Sequence, residues 1–190
     1  MLMRRKLFAA LGGTLATAAT ARQAAAAAGP EKLRETPEGR PLPENLVFQD
    51  ADGRETRFDA FRGKGLVVNF WATWCPPCVA EMPALDRAQA ALSPQGIEVL
   101  ALSSDRAGRG VVEPFYRRTE LQHLKMWFDA RGATGRALGI RGLPTTLILD
   151  RGGREVARLE GEAAWDSPAM LAAIRRLVGG AAPASTTSST

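Results

Sequence analysis

Asn69 to Leu85 reads NFWATWCPPCVAEMPAL, and the change of character in the middle of this stretch decides the fold. Leu66 to Ala72 is a continuous apolar and β-branched run preceded by Gly63 and Gly65, the pattern of a strand buried on both faces. From Pro76 to Leu92 apolar residues recur at helical spacing (Val79, Met82, Leu85, Ala88, Leu92). Pro76 suits the first turn, because a helix needs no N–H donor there. Strand, tight turn and helix therefore follow one another, and the only two cysteines, Cys75 and Cys78, sit at the handover.

That placement carries chemistry. A helix N-terminus exposes unpaired N–H groups and a partial positive charge, which favour a thiolate on the residue that begins it, so Cys75 should ionise more readily than a free thiol. A spacing of three brings Cys78 back beneath Cys75, close enough for a disulfide closing a very small ring. Such a ring restrains little chain entropy, which makes it a poor staple and a good redox couple. Three other readings stay open at this point. An exported protein can carry a plain stabilising disulfide. A metal site has only His123 as an imidazole ligand and no second Cys-x-x-Cys, which leaves a copper site completed by His123 or a Met. A peroxidase needs one activated cysteine and no partner three residues on. His123 itself reads as a surface or partly packed residue near Met126.

Working outward, Leu46 to Phe48 and Glu55 to Phe58 flank the turn signal Asp50-Ala51-Asp52-Gly53 and predict a β-hairpin. Ile97 to Ser103 predicts a second buried strand, followed by a helix near Val111 to Arg118, a strand at Lys125 to Phe128 and a short helix at Thr134 to Leu138. Thr145 to Leu149 and Glu155 to Leu159 form another hairpin across Asp150 to Gly153. A closing helix runs from Ser167 to Val178, with Ser167 as its cap and Pro168 in its first turn. Strands alternating with helices, then a terminal hairpin and helix, imply an α/β class with a central mixed sheet flanked by helices and an N-terminal β-hairpin extension.

The chain has 190 residues, 45% hydrophobic and 24% charged, which suits one globular domain. Residues 1–28 read as an export signal, cleaved or anchoring: Arg4, Arg5 and Lys6 precede an uncharged stretch, Leu7 to Ala21, and Ala-x-Ala sites recur up to Ala28. Arg4-Arg5 also leaves a twin-arginine route open beside the general one. Residues 29–44, with Pro30, Pro37, Pro41 and Pro43 among charges, read as a linker or extended arm. The domain is placed at 45–178 and a disordered tail at 179–190. The formal charge of +5 owes most to the leader, beyond which 21 basic residues face 20 acidic ones, a balance that argues against nucleic acid as a partner.

With these residues in hand, the chain resembles the thioredoxin-like superfamily, and within it the exported TlpA/ResA/CcmG branch of thiol-disulfide oxidoreductases. The matching stretches are Asn69 to Leu85, Gly142 to Arg154 (GLPTTLILDRGGR) and Leu159 to Gly161, within a resemblance running from Leu42 to Val178. It implies a thioredoxin-like fold, Cys75 as exposed nucleophile and Cys78 as resolving thiol. Pro144 matches the family's cis-proline, which would let Leu143 offer its backbone to an extended substrate. Trp74, Pro76 and Pro77 would border the same substrate, Trp74 shielding the reactive sulfur, while Phe70 and Trp71 serve the core. Where cytosolic thioredoxins carry a buried aspartate this chain has Asn69. Glu81 matches a glutamate of the branch that takes the proton of Cys78, against the plainer reading of a surface helix carboxylate. Pro83 matches a family kink.

The resemblance further implies a monomeric reductant in the periplasm that needs no cofactor or metal. It would be fed by a membrane electron donor of the DsbD/CcdA type and act on protein disulfides in cytochrome c maturation or oxidase assembly. A disulfide donor, a non-catalytic binding module and a copper-handling module stand as alternatives.

Overall fold

The structure is a computed structural model that describes residues 29–179; the expected export signal at 1–28 and residues 180–190 of the expected tail lie outside the described residues. In chain order the elements are β1 (Arg34–Pro41), β2 (Val47–Gln49), β3 (Glu55–Arg57), β4 (Gly65–Trp71), α1 (Pro76–Leu92), β5 (Ile97–Ser103), α2 (Arg109–Arg118), β6 (Trp127–Phe128), α3 (Ala133–Ala137), β7 (Thr145–Leu149), β8 (Arg154–Glu160) and α4 (Pro168–Gly179).

The apolar run that opened the sequence reading becomes β4, buried along its whole length. It lies parallel to β5, from Gly65 opposite Ile97 to Trp71 opposite Ser103, and antiparallel to β7, with Asn69 opposite Thr146. The strands form one mixed sheet in the order β1-β8-β7-β4-β5-β6-β2-β3. Successive side chains of a strand point to opposite faces. Val67 and Trp71 accordingly join Met82, Leu85, Phe115 and Ile174, beneath α1, α2 and α4. Leu66, Val68 and Phe70 join Phe48, Phe61, Leu102 and Leu138 on the other face. Asn69 shares the parity of Val67 and Trp71, so it faces the α1 side.

The predicted hairpin is present as β2 and β3, but Phe58 leaves the strand and opens a 3-10 turn, Phe58–Phe61, that brings Phe61 against Phe48. The reading of 29–44 as a linker is corrected. Pro30–Lys32 forms a 3-10 turn, Leu33 is buried in the core, and β1 pairs antiparallel with β8. Prolines are compatible with a strand at the edge of a sheet. β1 is such an edge, and its register shifts between Glu35 and Arg40, the interval holding Pro37 and the left-handed Gly39. Composition signals a chain without its own regular structure. It carries no sign of the partner strand far along the chain that supplies the pairing. At the other terminus Gly179, placed in the tail by the sequence reading, is the last residue of α4.

Candidate active site

The turn from β4 into α1 builds the site. Cys75 is the N-cap of α1 in an extended conformation (φ −99°, ψ 103°); its N–H donates to the carbonyl of Ala72 at 3.2 Å and its own carbonyl accepts from Val79 at 3.0 Å. Pro76 and Pro77 fill the first two helical positions. Neither carries an N–H, so Cys78 supplies the one free amide of the first turn. Cys75 and Cys78 form a disulfide with their Cα atoms 5.3 Å apart.

The two sulfurs differ in access. Cys75 is 5% exposed and borders a groove of about 580 Å³, whereas Cys78 is fully buried and absent from its lining. Trp74, Pro76, Pro77 and Leu143 line the groove with Cys75. Trp74 stands 68% exposed, the one large aromatic left to solvent among the described residues. The Leu143–Pro144 peptide is cis and Pro144 is buried at the start of β7. Phe70 and Trp71 are both fully buried; Trp71 packs on Phe115 with ring centroids 5.2 Å apart, while Phe70 also reaches the floor of the groove.

Glu81, one turn along α1 from Cys78, is buried rather than on the helix surface. Its Oε1 accepts from Asn69 Nδ2 at 2.8 Å; its Oε2 accepts from the Trp165 indole N–H at 2.7 Å and from the backbone N–H of Ala163 at 3.1 Å. Among the described residues no cation joins these donors, so burial dominates and pushes the Glu81 carboxyl up to about 7, against the hydrogen bonds from Trp165, Asn69 and Ala163 that favour its charged form. Asn69 Nδ2 also reaches Thr146 Oγ1 at 2.9 Å, and Asn69 Oδ1 has no partner among the described residues.

Several contributors were invisible in the sequence. Asp105, buried just beyond β5, accepts from the Thr73 amide at 2.9 Å and the Thr73 hydroxyl at 2.7 Å, and so fixes the turn that presents Trp74 and Cys75. Trp165 and Ala163 reach Glu81 from the loop before α4, and Arg136 and Arg141 line the groove. None of them lies in a recognisable motif. His123 is exposed, its backbone N–H bound to Asp86 Oδ1 at 2.8 Å. Among the described residues no group of three His, Cys, Asp or Glu side chains is gathered as a metal site would need.

The Redoxin family matches residues 37–174. The thiol-disulfide oxidoreductase ResA of Bacillus thuringiensis subsp. konkukian is 32% identical over 118 residues, covering 62% of this chain and 67% of that protein. ResA of Geobacillus thermodenitrificans is 36% identical over 110 residues, covering 58% of this chain and 62% of that one. Among solved structures, a Chlorobium tepidum protein assigned as a thiol:disulfide interchange protein DsbE superposes with a TM-score of 0.65 at 26% identity, covering 75% of this chain and 98% of its own.

Proposed function

The chain belongs to the Redoxin family, and from that membership and the disulfide at the head of α1 we infer that it is a thiol-disulfide oxidoreductase whose reacting couple is Cys75–Cys78. The observation that carries the assignment of roles is the difference in access: Cys75 borders the groove and Cys78 does not. In the reduced protein the Cys75 thiolate attacks one sulfur of a substrate disulfide. A Cys75–substrate bond forms, the substrate's own S–S bond breaks, and the departing sulfur leaves as a thiolate that takes up a proton. Cys78, deprotonated by Glu81, then attacks Cys75 Sγ; the Cys75–Cys78 bond forms and the second substrate thiol is released. Two electrons pass from the protein dithiol to the substrate, and the protein ends as the disulfide seen in the structure.

Within this chemistry the protein works as a reductase of exported proteins, acting as a monomer in the periplasm after export directed by residues 1–28. A membrane donor of the DsbD/CcdA type returns it to the dithiol, and its substrates are the protein disulfides of cytochrome c maturation or oxidase assembly. The export pattern of the leader and the buried Glu81 beside the resolving cysteine support this reading. Leu143, next to the cis Pro144, lines the groove where an extended substrate backbone would pair, together with Trp74, Pro76 and Pro77.

Two measurements test it. Cys78→Ser should accumulate mixed disulfides through Cys75, and Cys75→Ser should accumulate none. The reduction potential of the couple should lie near that of thioredoxin, about −270 mV; a value near about −120 mV would make the protein a disulfide donor instead.

A further inference from the structure

We propose that the groove beside Cys75 selects protein substrates carrying carboxylate side chains next to their reactive cysteine, held by Arg136 and Arg141. The proposal rests on the exchange reaction above and names the substrate class of that site.

Among the described residues, Trp74, Pro76 and Ile140 line the groove together with Arg136 and Arg141, and no acidic residue lines it. About half of the arginines among the described residues pair with carboxylates, Arg40, Arg109 and Arg176 among them, while Arg151, Arg154 and Arg175 donate to neutral oxygens. Arg136 and Arg141 are exposed, and neither comes within ion-pair distance of a carboxylate among the described residues. Arg136 is instead steadied by donating to the backbone carbonyl of Arg131 at 2.8 Å, which leaves its remaining donors available.

The acidic residues behind the groove face inward. Asp129 accepts the amides of Thr134 and Gly135, and Asp105 accepts the Thr73 amide and hydroxyl, both carboxylates being buried. Their hydrogen-bonding capacity is turned to the fold, and the charged side chains that line the groove are Arg136 and Arg141. This polarity is local, since beyond the leader 21 basic residues face 20 acidic ones.

Arg141 stands two residues before Leu143, on the segment beside which an extended substrate would lie. Successive substrate residues there advance about 3.3 Å each, so side chains flanking the attacked cysteine fall within reach of a guanidinium. A guanidinium receives a carboxylate through paired parallel hydrogen bonds, a geometry that orients as well as attracts. Complementary charge at such a rim acts chiefly on the encounter rate and is weakened by salt.

The test uses three disulfide-linked peptides of one sequence with Glu, Gln or Lys on both sides of the cysteine. Each is reduced by the pre-reduced protein, and rates are expressed relative to the same protein's rate on bis(2-hydroxyethyl) disulfide, which is small and uncharged. We expect the Glu peptide to react roughly tenfold faster than the Lys peptide at low ionic strength, the combined effect of two partly exposed charge pairs. The preference should collapse towards one at about 1 M salt, where the screening length is about 3 Å. It should also collapse in the Arg136→Gln/Arg141→Gln variant, while Arg141→Lys should keep much of it. Equal rates for the three peptides, a preference for Lys, or a Glu preference that survives in the double glutamine variant would each overturn the proposal. The salt series on the unaltered protein needs no variant to fold. Failure to reduce even the uncharged disulfide would overturn the exchange reaction itself, and is told apart by that control.

Discussion

Trp165 donates its indole N–H to Glu81 Oε2 at 2.7 Å across 84 residues of sequence, and both side chains are buried. The bond ties the loop before α4 to the active-site helix one turn below Cys78. It also makes the carboxylate's environment a property of the whole fold rather than of α1.

Glu81 should make stability and catalysis depend on pH around neutrality. Its folded value of about 7 lies above the ordinary 4.5, so the folded state binds more protons than the unfolded state between them. Stability is greatest below about pH 4.5 as far as this group is concerned and is lost as pH rises through about 7, by on the order of 3 kcal/mol. Glu81→Gln should remove that slope in urea denaturation of the oxidised protein. The same substitution should slow resolution of the mixed disulfide and abolish its rise through pH 7, measured by quenched-flow trapping.

Trp165→Phe keeps most of the ring and removes one donor to the carboxylate. The charged form then loses support, and the midpoint of the resolution profile should move above 7, with a stability cost of about 1–3 kcal/mol. A purely structural role would lower stability and leave the midpoint in place.

Pro77→Ala restores a backbone N–H at the second helical position, where a donor can reach an N-cap side chain. The Cys75 thiolate should gain one charge-assisted bond, which favours it over the thiol. A stabilised thiolate stabilises the reduced protein, so the reduction potential should rise, by at most about 30 mV. Thiol alkylation against pH and equilibration with dithiol buffers read the two quantities separately.

Truncation at Leu42 removes β1. Leu33 leaves the core, the outer edge of β8 is bared, and Glu155, nearly buried, keeps Arg158 but loses Arg40, whose Nη2 lies 2.6 Å from Oε2. We expect a loss of at least about 3 kcal/mol by chemical denaturation, set against the leaderless protein beginning at Gly29. A true linker would be removed at little cost.

How far the fold was legible follows from what kind of signal each part has. β4 and α1 are nearly as read, because a continuous apolar run and a helical apolar stripe are local patterns. The β7–β8 hairpin was marked by its Asp150–Gly153 turn, where Asp150 accepts amides from Gly152 and Arg154 at 2.9 Å. β6 shrank to Trp127–Phe128 because it pairs with β5 over only two residues. The same β-forming composition carries no instruction about how much partner strand will be present.

The sequence by itself determined the pairing of Cys75 with Cys78. Two cysteines three apart at a strand-to-helix turn meet through backbone geometry alone, and the helix start is written in Cys75-Pro76-Pro77. The tertiary structure alone decided what surrounds that couple. Burial of Glu81, its hydrogen bonds from Asn69, Ala163 and Trp165, the support of Asp105 beneath Thr73, and the two arginines that line the groove with Cys75 all join residues far apart in the chain. Spacing along a helix fixes direction within one turn. Proton affinity and charge at a site depend on desolvation and on groups brought in through space, and those exist only once the sheet has closed.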